Sequence, residues 1–417
     1  MQKADSVASV HYTVEVADLH AHLYGITLTV AAPAERQTLR LPVWIPGSYL
    51  VREFAKNLQS LTCRQGKRAV PAQQKDKATW VVDCTAGKPL VVQYQVYAND
   101  PSVRTAWLDA TRGFFNGTSL CLLVEGQQDQ PHTLELVASK SIANWSVATG
   151  AGAVKVNKRG FGSYRTDNYD TLVDCPFEMG PFWSGNFTAC GIPHRFVVAG
   201  APPSFDGRQL LADTQAICEE EIRFWHGEII KNHSASRNKR GGQSPIPYTN
   251  YVFMLNAMAD GYGGLEHRNS TALICKRQDL PRLPRTTLAP AAHKQPEGYT
   301  TLLGLISHEY FHTWNVKRLR PAELAIYDYT QENYTELLWF FEGFTSYYDD
   351  LLLRRAGRID NAAYLKLLAK TVNGLAQTPG RKVQSVAQAS FDAWIKYYRQ
   401  DENTANATVS YYTKGSL

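Results

Sequence analysis

The chain has 417 residues, too many for one ordinary domain and enough for two or three. Its 44% hydrophobic content is that of a soluble globular protein able to bury a sizeable core. The 44 basic and 38 acidic residues, net +6, are spread along the whole length and leave no nucleic-acid footprint.

The opening stretch, MQKADSVASVHYTVEV, has no apolar core of signal-peptide length. No later stretch approaches the roughly 20 apolar residues of a membrane span. Seven cysteines (Cys63, Cys84, Cys121, Cys175, Cys190, Cys218 and Cys275) form an odd, widely spaced set without a C-x-x-C pair. That pattern points to reduced thiols in a cytoplasmic protein, and away from a disulfide framework or cysteine-ligated zinc.

Residues 9 to about 175 read as β-structure. Alternating or β-branched runs recur at 10–16, 23–30, 79–84, 90–98 and 132–138, separated by Gly, Pro, Asn and Asp clusters, the rhythm of a sheet sandwich. One segment, Pro42 to Tyr49 (PVWIPGSY), breaks that rhythm. From about 205 the period changes. Asp206 to Ile230 has apolar residues at helical spacing, and the basic run Lys231 to Arg240 beside Gly241 reads as a solvated loop. Strands are expected at 251–257 and 271–275, with the glycine-punctuated GYGGLEHRNS (261–270) between them. A Pro-rich connection (280–296) precedes the segment Tyr299 to Trp314, and a long helix is expected from Asn333 to Arg355.

The chemistry concentrates at LISHEYFHTWN (305–315), which contains H-E-x-x-H. On a helix, four residues separate His308 and His312 by about 40° around the axis, so both imidazoles reach one ion from the same face. Glu309 follows the first ligand, where its carboxylate reaches a metal-bound water. Neutral nitrogen ligands suit a single Zn²⁺. A third protein ligand is needed, and Glu323, Glu332, Glu336 and Glu342 lie downstream. Glu342 is flanked by Phe340, Phe341 and Phe344, where burying a carboxylate is costly unless a cation neutralises it. Glu336 falls on another face of the expected helix and stays open as the alternative.

HEYFHTWNVKRLRP, WFFEGFTSYY, GYGGLEHRNS and PVWIPGSYLVREF together resemble the glycyl aminopeptidase family of zinc metallopeptidases, relatives of the alanyl aminopeptidases. The resemblance runs from the N-terminal β region to the last residue. It implies Glu342, the Glu of an E-G-F motif, as third zinc ligand, although the longer gap after His312 requires a stretch such as 316–330 to loop out. It also aligns GGLEH (263–267) with a strand that binds the substrate's free α-amine, giving that role to Glu266, with Gly263, Gly264 and His267 as its substrate-binding neighbours. Tyr412-Thr413-Lys414-Gly415 matches a Y-x-K-G motif whose tyrosine stabilises the oxyanion; Tyr411 is the alternative. Leu417 follows that motif by two residues, whereas the family's catalytic domain continues into more helices and a C-terminal peptide-binding PDZ domain.

The expectation is therefore a multidomain α+β protein. Residues 1–180 form a β-sandwich-like domain and 181–417 a thermolysin-like zinc peptidase domain, incomplete at its C-terminal end. The expected activity is removal of small N-terminal residues, glycine or alanine, from peptides with a free N-terminus, without nucleic-acid or membrane partners. A zinc endopeptidase on the same scaffold and a non-catalytic peptide-binding scaffold are the rivals; Glu266 discriminates the first and Glu309 the second.

Overall fold

The structure, a computed structural model, describes residues 9–236, 246–283 and 295–417. The chain forms two compact units: Met1–Phe182 with Asp328–Glu332, and Trp183–Tyr327 with Asn333–Leu417.

The first unit is sheet-rich. Among its described residues one sheet has eight strands, built around Val10–Asp18, Leu23–Val30 and Leu90–Tyr97, which pair antiparallel in sequence order. The register sets Tyr12 opposite Leu28 and Leu28 opposite Val92, and all three are buried. Period-2 alternation thus places one continuous apolar face inward, and a slip of one residue would expose it. Two four-stranded sheets complete the described part of the unit. Gly152–Val156 is a strand exposed along its whole length, which explains why no alternation marks it in the sequence. The PVWIPGSY segment is a turn closed by Ser48 N–H on Ile45 O, with Trp44 fully buried. The indole Nε1 of Trp44 donates to Asp328 O at 2.6 Å, and Val43 N–H to Tyr329 O at 2.9 Å. Those bonds explain why Asp328–Glu332, late in sequence, belongs to this unit.

The second unit is built on a five-stranded sheet among its described residues, ordered Trp183–Ala189, Ile192–Ala199, Tyr251–Met258, Ser270–Lys276 and Gly263–Glu266. Its three central strands are parallel and both outer ones antiparallel. Parallel strands buried on both faces read as unbroken apolar runs, and Tyr251 to Leu255 is one. The helices Gly207–Ser236, Glu297–Phe311 and Phe344–Arg355 belong to this unit. Phe196, Phe253, Leu273, Ile222, Leu303, Ile306 and Leu353 share one buried cluster.

Three expectations need correction. Lys231–Ser236 continues the Gly207–Ser236 helix rather than starting a loop; residues 237–240 lie outside the described residues, as do 284–294 of the Pro-rich connection. The hairpin Trp183–Ala189/Ile192–Ala199 extends β-structure past 175. No helix begins at Asn333: helical geometry starts at Leu338, passes through a π-helical turn at Trp339–Gly343 and continues as Phe344–Arg355.

All seven cysteines are free. Among the described residues no helix is long and apolar enough to cross a membrane.

Candidate metal centre

The Glu297–Phe311 helix presents His308 and Glu309 in its last turn and ends on His312 as its C-cap. A carbonyl or carboxylate oxygen can only accept, so the partners of the two rings fix their tautomers. Asp349 Oδ2 takes His308 Nδ1–H at 3.0 Å, and the backbone oxygen of Asn315 takes His312 Nδ1–H at 2.7 Å. In their neutral form both rings therefore turn bare Nε2 lone pairs inward. These two Nε2 atoms are 3.1 Å apart, and Glu342 Oε2 lies 3.5 Å from His308 Nε2 and 3.2 Å from His312 Nε2.

Three acceptors aimed at one point need a cation between them. Bond lengths of about 2.0–2.1 Å in a tetrahedral zinc site imply ligand–ligand edges of about 3.3 Å, close to those found here. The donor set of two imidazoles and one carboxylate leaves one position open, as a catalytic ion requires. Oriented imidazole N–H groups, one on a carboxylate and one on a backbone oxygen, are the usual support for such ligands.

Glu342 comes from the π-helical turn. Asn315 Nδ2 donates to Phe341 O at 3.1 Å and to Thr345 Oγ1 at 3.2 Å, tying the residues after His312 to that turn. Glu336 is exposed and lies before the helix, apart from this cluster. Burial alone would raise the Glu342 pKa, but the His312 and His308 rings hold it well below the usual carboxylate range. Burial would lower His308, yet Asp349 and Glu342 outweigh it and raise its pKa.

A second cluster adjoins the first. Carboxylate oxygens of Glu266 and Glu309 and a ring nitrogen of His312 lie within 4.8 Å of one another. Glu266 ends the Gly263–Glu266 strand, opposite Thr271. Its Oε1 and Glu309 Oε2 are buried and have no hydrogen-bond donor among the described residues. Burial and the Glu266 and Glu342 charges raise Glu309 to about 7 against the pull of both imidazoles. Gly264 packs on the Glu309 carboxylate, and Gly263 pairs with Ile274. His267 is buried, with its backbone N–H on Ser270 O.

Tyr412 lies in the short helix Tyr411–Gly415, its ring stacked beside His308 at 6.2 Å between centroids. Burial drives its pKa well up, so the phenol stays a donor. Its hydroxyl is 3.2 Å from that of Tyr398. Tyr411 is fully buried and its hydroxyl is likewise 3.2 Å from Tyr398.

Sequence reasoning missed Asp349, Asn315 and Tyr398. Asp349 carried a usable signal: seven residues after Glu342 is about two helical turns, which returns to the same face.

Two family models match the chain. The Peptidase M61 N-terminal domain matches residues 11–181, and the M61 glycyl aminopeptidase domain matches residues 301–417. The chain belongs to the M61 peptidase family. This M61 chain is 42% identical to an aminopeptidase N family protein from Idiomarina loihiensis, with a TM-score of 0.88 over 98% of its own length. It spans 65% of that protein's chain. An M1 zinc metallopeptidase from Deinococcus radiodurans shares the fold at 14% identity and a TM-score of 0.50, covering 96% of this chain and 86% of that one. A substituted form of an M1 zinc metallopeptidase from the same organism, bound to a Tyr-Ser-Ala substrate, matches at 13% identity and 0.50 over 98% and 80% of the two chains. A comparison with curated proteins finds no match.

Proposed function

We propose that this M61 chain is a zinc-dependent aminopeptidase with a thermolysin-like catalytic arrangement that removes glycine or alanine from peptide N-termini. The observation that carries the reading is the convergence of two bare Nε2 lone pairs and the Glu342 carboxylate, with Glu266 and Glu309 alongside. His308, His312 and Glu342 would hold one zinc. When bound, zinc lowers the pKa of a water to about 7 and polarises the scissile carbonyl.

This chain's own residues supply the rest. Glu309, with a carboxylate oxygen lacking a donor among the described residues, takes a proton from the attacking water and returns it to the departing amine. Gly264 lets the Gly263–Glu266 strand lie against that carboxylate, which limits where it can point. Glu266 pairs with the substrate's α-ammonium through its buried Oε1, which has no partner among the described residues, and sets the register of cleavage. Tyr412 donates its hydroxyl to the oxyanion, a contact whose loss in comparable sites costs about 2.7–4 kcal/mol. The preference for small residues rests on the family description of the 301–417 match. Free thiols throughout fit a cytoplasmic setting.

The test is metal removal and restoration on a panel of aminoacyl substrates, with Glu309→Gln in parallel. A chelator should abolish hydrolysis and added zinc restore it. Glu309→Gln should bind zinc normally yet lose at least about a hundredfold in kcat. Chelator-resistant hydrolysis, or a fully active Glu309→Gln, would remove the reading.

A further inference from the structure

Ser307, the residue before His308, touches a carboxyl that the reaction does not use. Glu221, on the Gly207–Ser236 helix, is fully buried. Its Oε1 is 2.9 Å from Ser307 Oγ, and its Oε2 has no hydrogen-bond partner among the described residues. Ser307 Oγ is also 3.0 Å from the backbone oxygen of Asp349.

A serine hydroxyl has one proton, and a backbone carbonyl can only accept. Both contacts are full hydrogen bonds under one arrangement. Glu221 Oε1–H donates to Ser307 Oγ, and Ser307 Oγ–H donates to Asp349 O. An ionised Glu221 would claim the serine proton and leave two acceptors, Ser307 Oγ and Asp349 O, facing each other. It would also be a fully buried charge held by a single hydroxyl, which is expensive. Burial and the neighbouring Asp349 and Glu220 charges favour the neutral acid, against the pull of Ser307 and His308.

We infer that Glu221 is a neutral, proton-donating positioning residue that fixes His308 through Ser307 and Asp349. The chain of contacts is short. Glu221 directs the serine hydroxyl, the hydroxyl pins the Asp349 backbone, and the Asp349 carboxylate holds His308 Nδ1–H at 3.0 Å. Glu342 precedes Asp349 by seven residues on one continuous helical run, so the same anchor sets the spacing between His308 and Glu342. This inference rests on the metal-site reading above only for its consequence, zinc retention; the proton on Glu221 stands apart from it.

The experiment uses the 417-residue chain and its Glu221→Gln, Glu221→Ala and Ser307→Ala variants. Infrared difference spectra of metal-free wild type against Glu221→Gln at neutral pH should show the loss of one protonated-carboxyl C=O band. Loss of a carboxylate band instead would overturn the inference. Zinc release to a chelator supplies the second readout. Glutamine is neutral and can donate to Ser307 Oγ, so Glu221→Gln should stay within about threefold of wild type, whereas Glu221→Ala should release zinc about tenfold faster or more. Equal loss in both would overturn it too. Should Glu221→Ala not fold, Ser307→Ala decides: it should shift the Glu221 band and speed zinc release, and an unmoved band would contradict the relay. Because the band is read without metal, it decides the protonation whatever becomes of the zinc reading.

Discussion

Gly264 and Glu309 are in contact so close that a Cβ built on the glycine would lie 2.0 Å from the glutamate's Oε1 and 2.3 Å from its Cδ. The glycine is therefore required by proximity to a side chain from the H-E-x-x-H helix. Its strand lies against that carboxylate and carries the amine-binding candidate Glu266 two residues on. Gly264→Ala should push the Glu309 carboxylate off its line while sparing the ligands. A displacement of about 1 Å at a reacting group costs about a hundredfold in rate. The expected outcome is a kcat loss of that order with zinc content unchanged by metal analysis. A variant with wild-type kcat would show that the carboxylate tolerates the move.

A contact between two glycines joins the Glu342 turn to the Tyr412 helix. A Cβ on Gly343 would meet the Gly415 carbonyl carbon at 2.5 Å, and one on Gly415 would meet Trp339 O at 2.6 Å. Both obstacles are backbone, so neither can swing aside. Gly415→Ala should cost about 1–3 kcal/mol of stability as an overpacking change. It should also reduce kcat more than zinc affinity, because Tyr412 moves relative to His308 while His308 and His312 stay put. Thermal denaturation and kcat on one substrate measure the two effects; a loss of stability without any loss of kcat would detach Tyr412 from the reaction.

The third ligand separates two glutamates six residues apart. Glu342→Gln should weaken zinc binding by at least about tenfold, since the carboxylate carries the charge that offsets the ion. Glu336→Gln, at an exposed bend outside the cluster, should leave zinc binding and activity as they are. Competition with a chromogenic chelator reads both. The reverse ranking would reassign the ligand.

His194 gives the second unit a pH signature. Its Nδ1–H donates to Ile192 O and its Nε2 accepts from the Tyr310 hydroxyl at 2.8 Å, so the buried ring is neutral. Burial pulls its pKa down to about 4, against an unfolded value of about 6.5. Between those values the unfolded chain binds the extra proton. The ring's contribution is thus fully present above about pH 6.5 and lost as pH falls toward 4, to a limit of roughly 3 kcal/mol. Denaturant midpoints of metal-free protein at pH 7, 6 and 5 should fall for wild type more steeply than for His194→Gln. Parallel slopes would contradict the assignment.

Much of this was legible in the sequence, and the losses have physical causes. Leu23–Val30 and Leu90–Tyr97 declared themselves because one face of each is buried, so period 2 is written into the residues. The H-E-x-x-H helix was legible because a candidate pair of metal ligands on one helix face fixes residue type and spacing at once. The start of the Glu342 helix was misread: Asn333 to Leu337 continue a helical-looking composition, but the turn at Trp339–Gly343 is π-helical, and a period of 3.6 does not report it. Glu221 and Tyr398 act through contacts with residues 86 and 14 positions away, which only the fold brings near.

The measurement closest to the central claim compares kcat/KM for a glycyl or alanyl substrate with a free amine and for its N-acetylated form, in wild type and in Glu266→Ala. A buried carboxylate gains from an α-ammonium that it meets directly, and an acetylated amine leaves it desolvated at a cost of about 1–3 kcal/mol or more. The account predicts at least about a tenfold preference of wild type for the free amine, largely erased in Glu266→Ala because only the free-amine reaction is damaged. Acetylated peptides cleaved as fast as free ones, or cut at internal bonds, would contradict it and make the protein an endopeptidase.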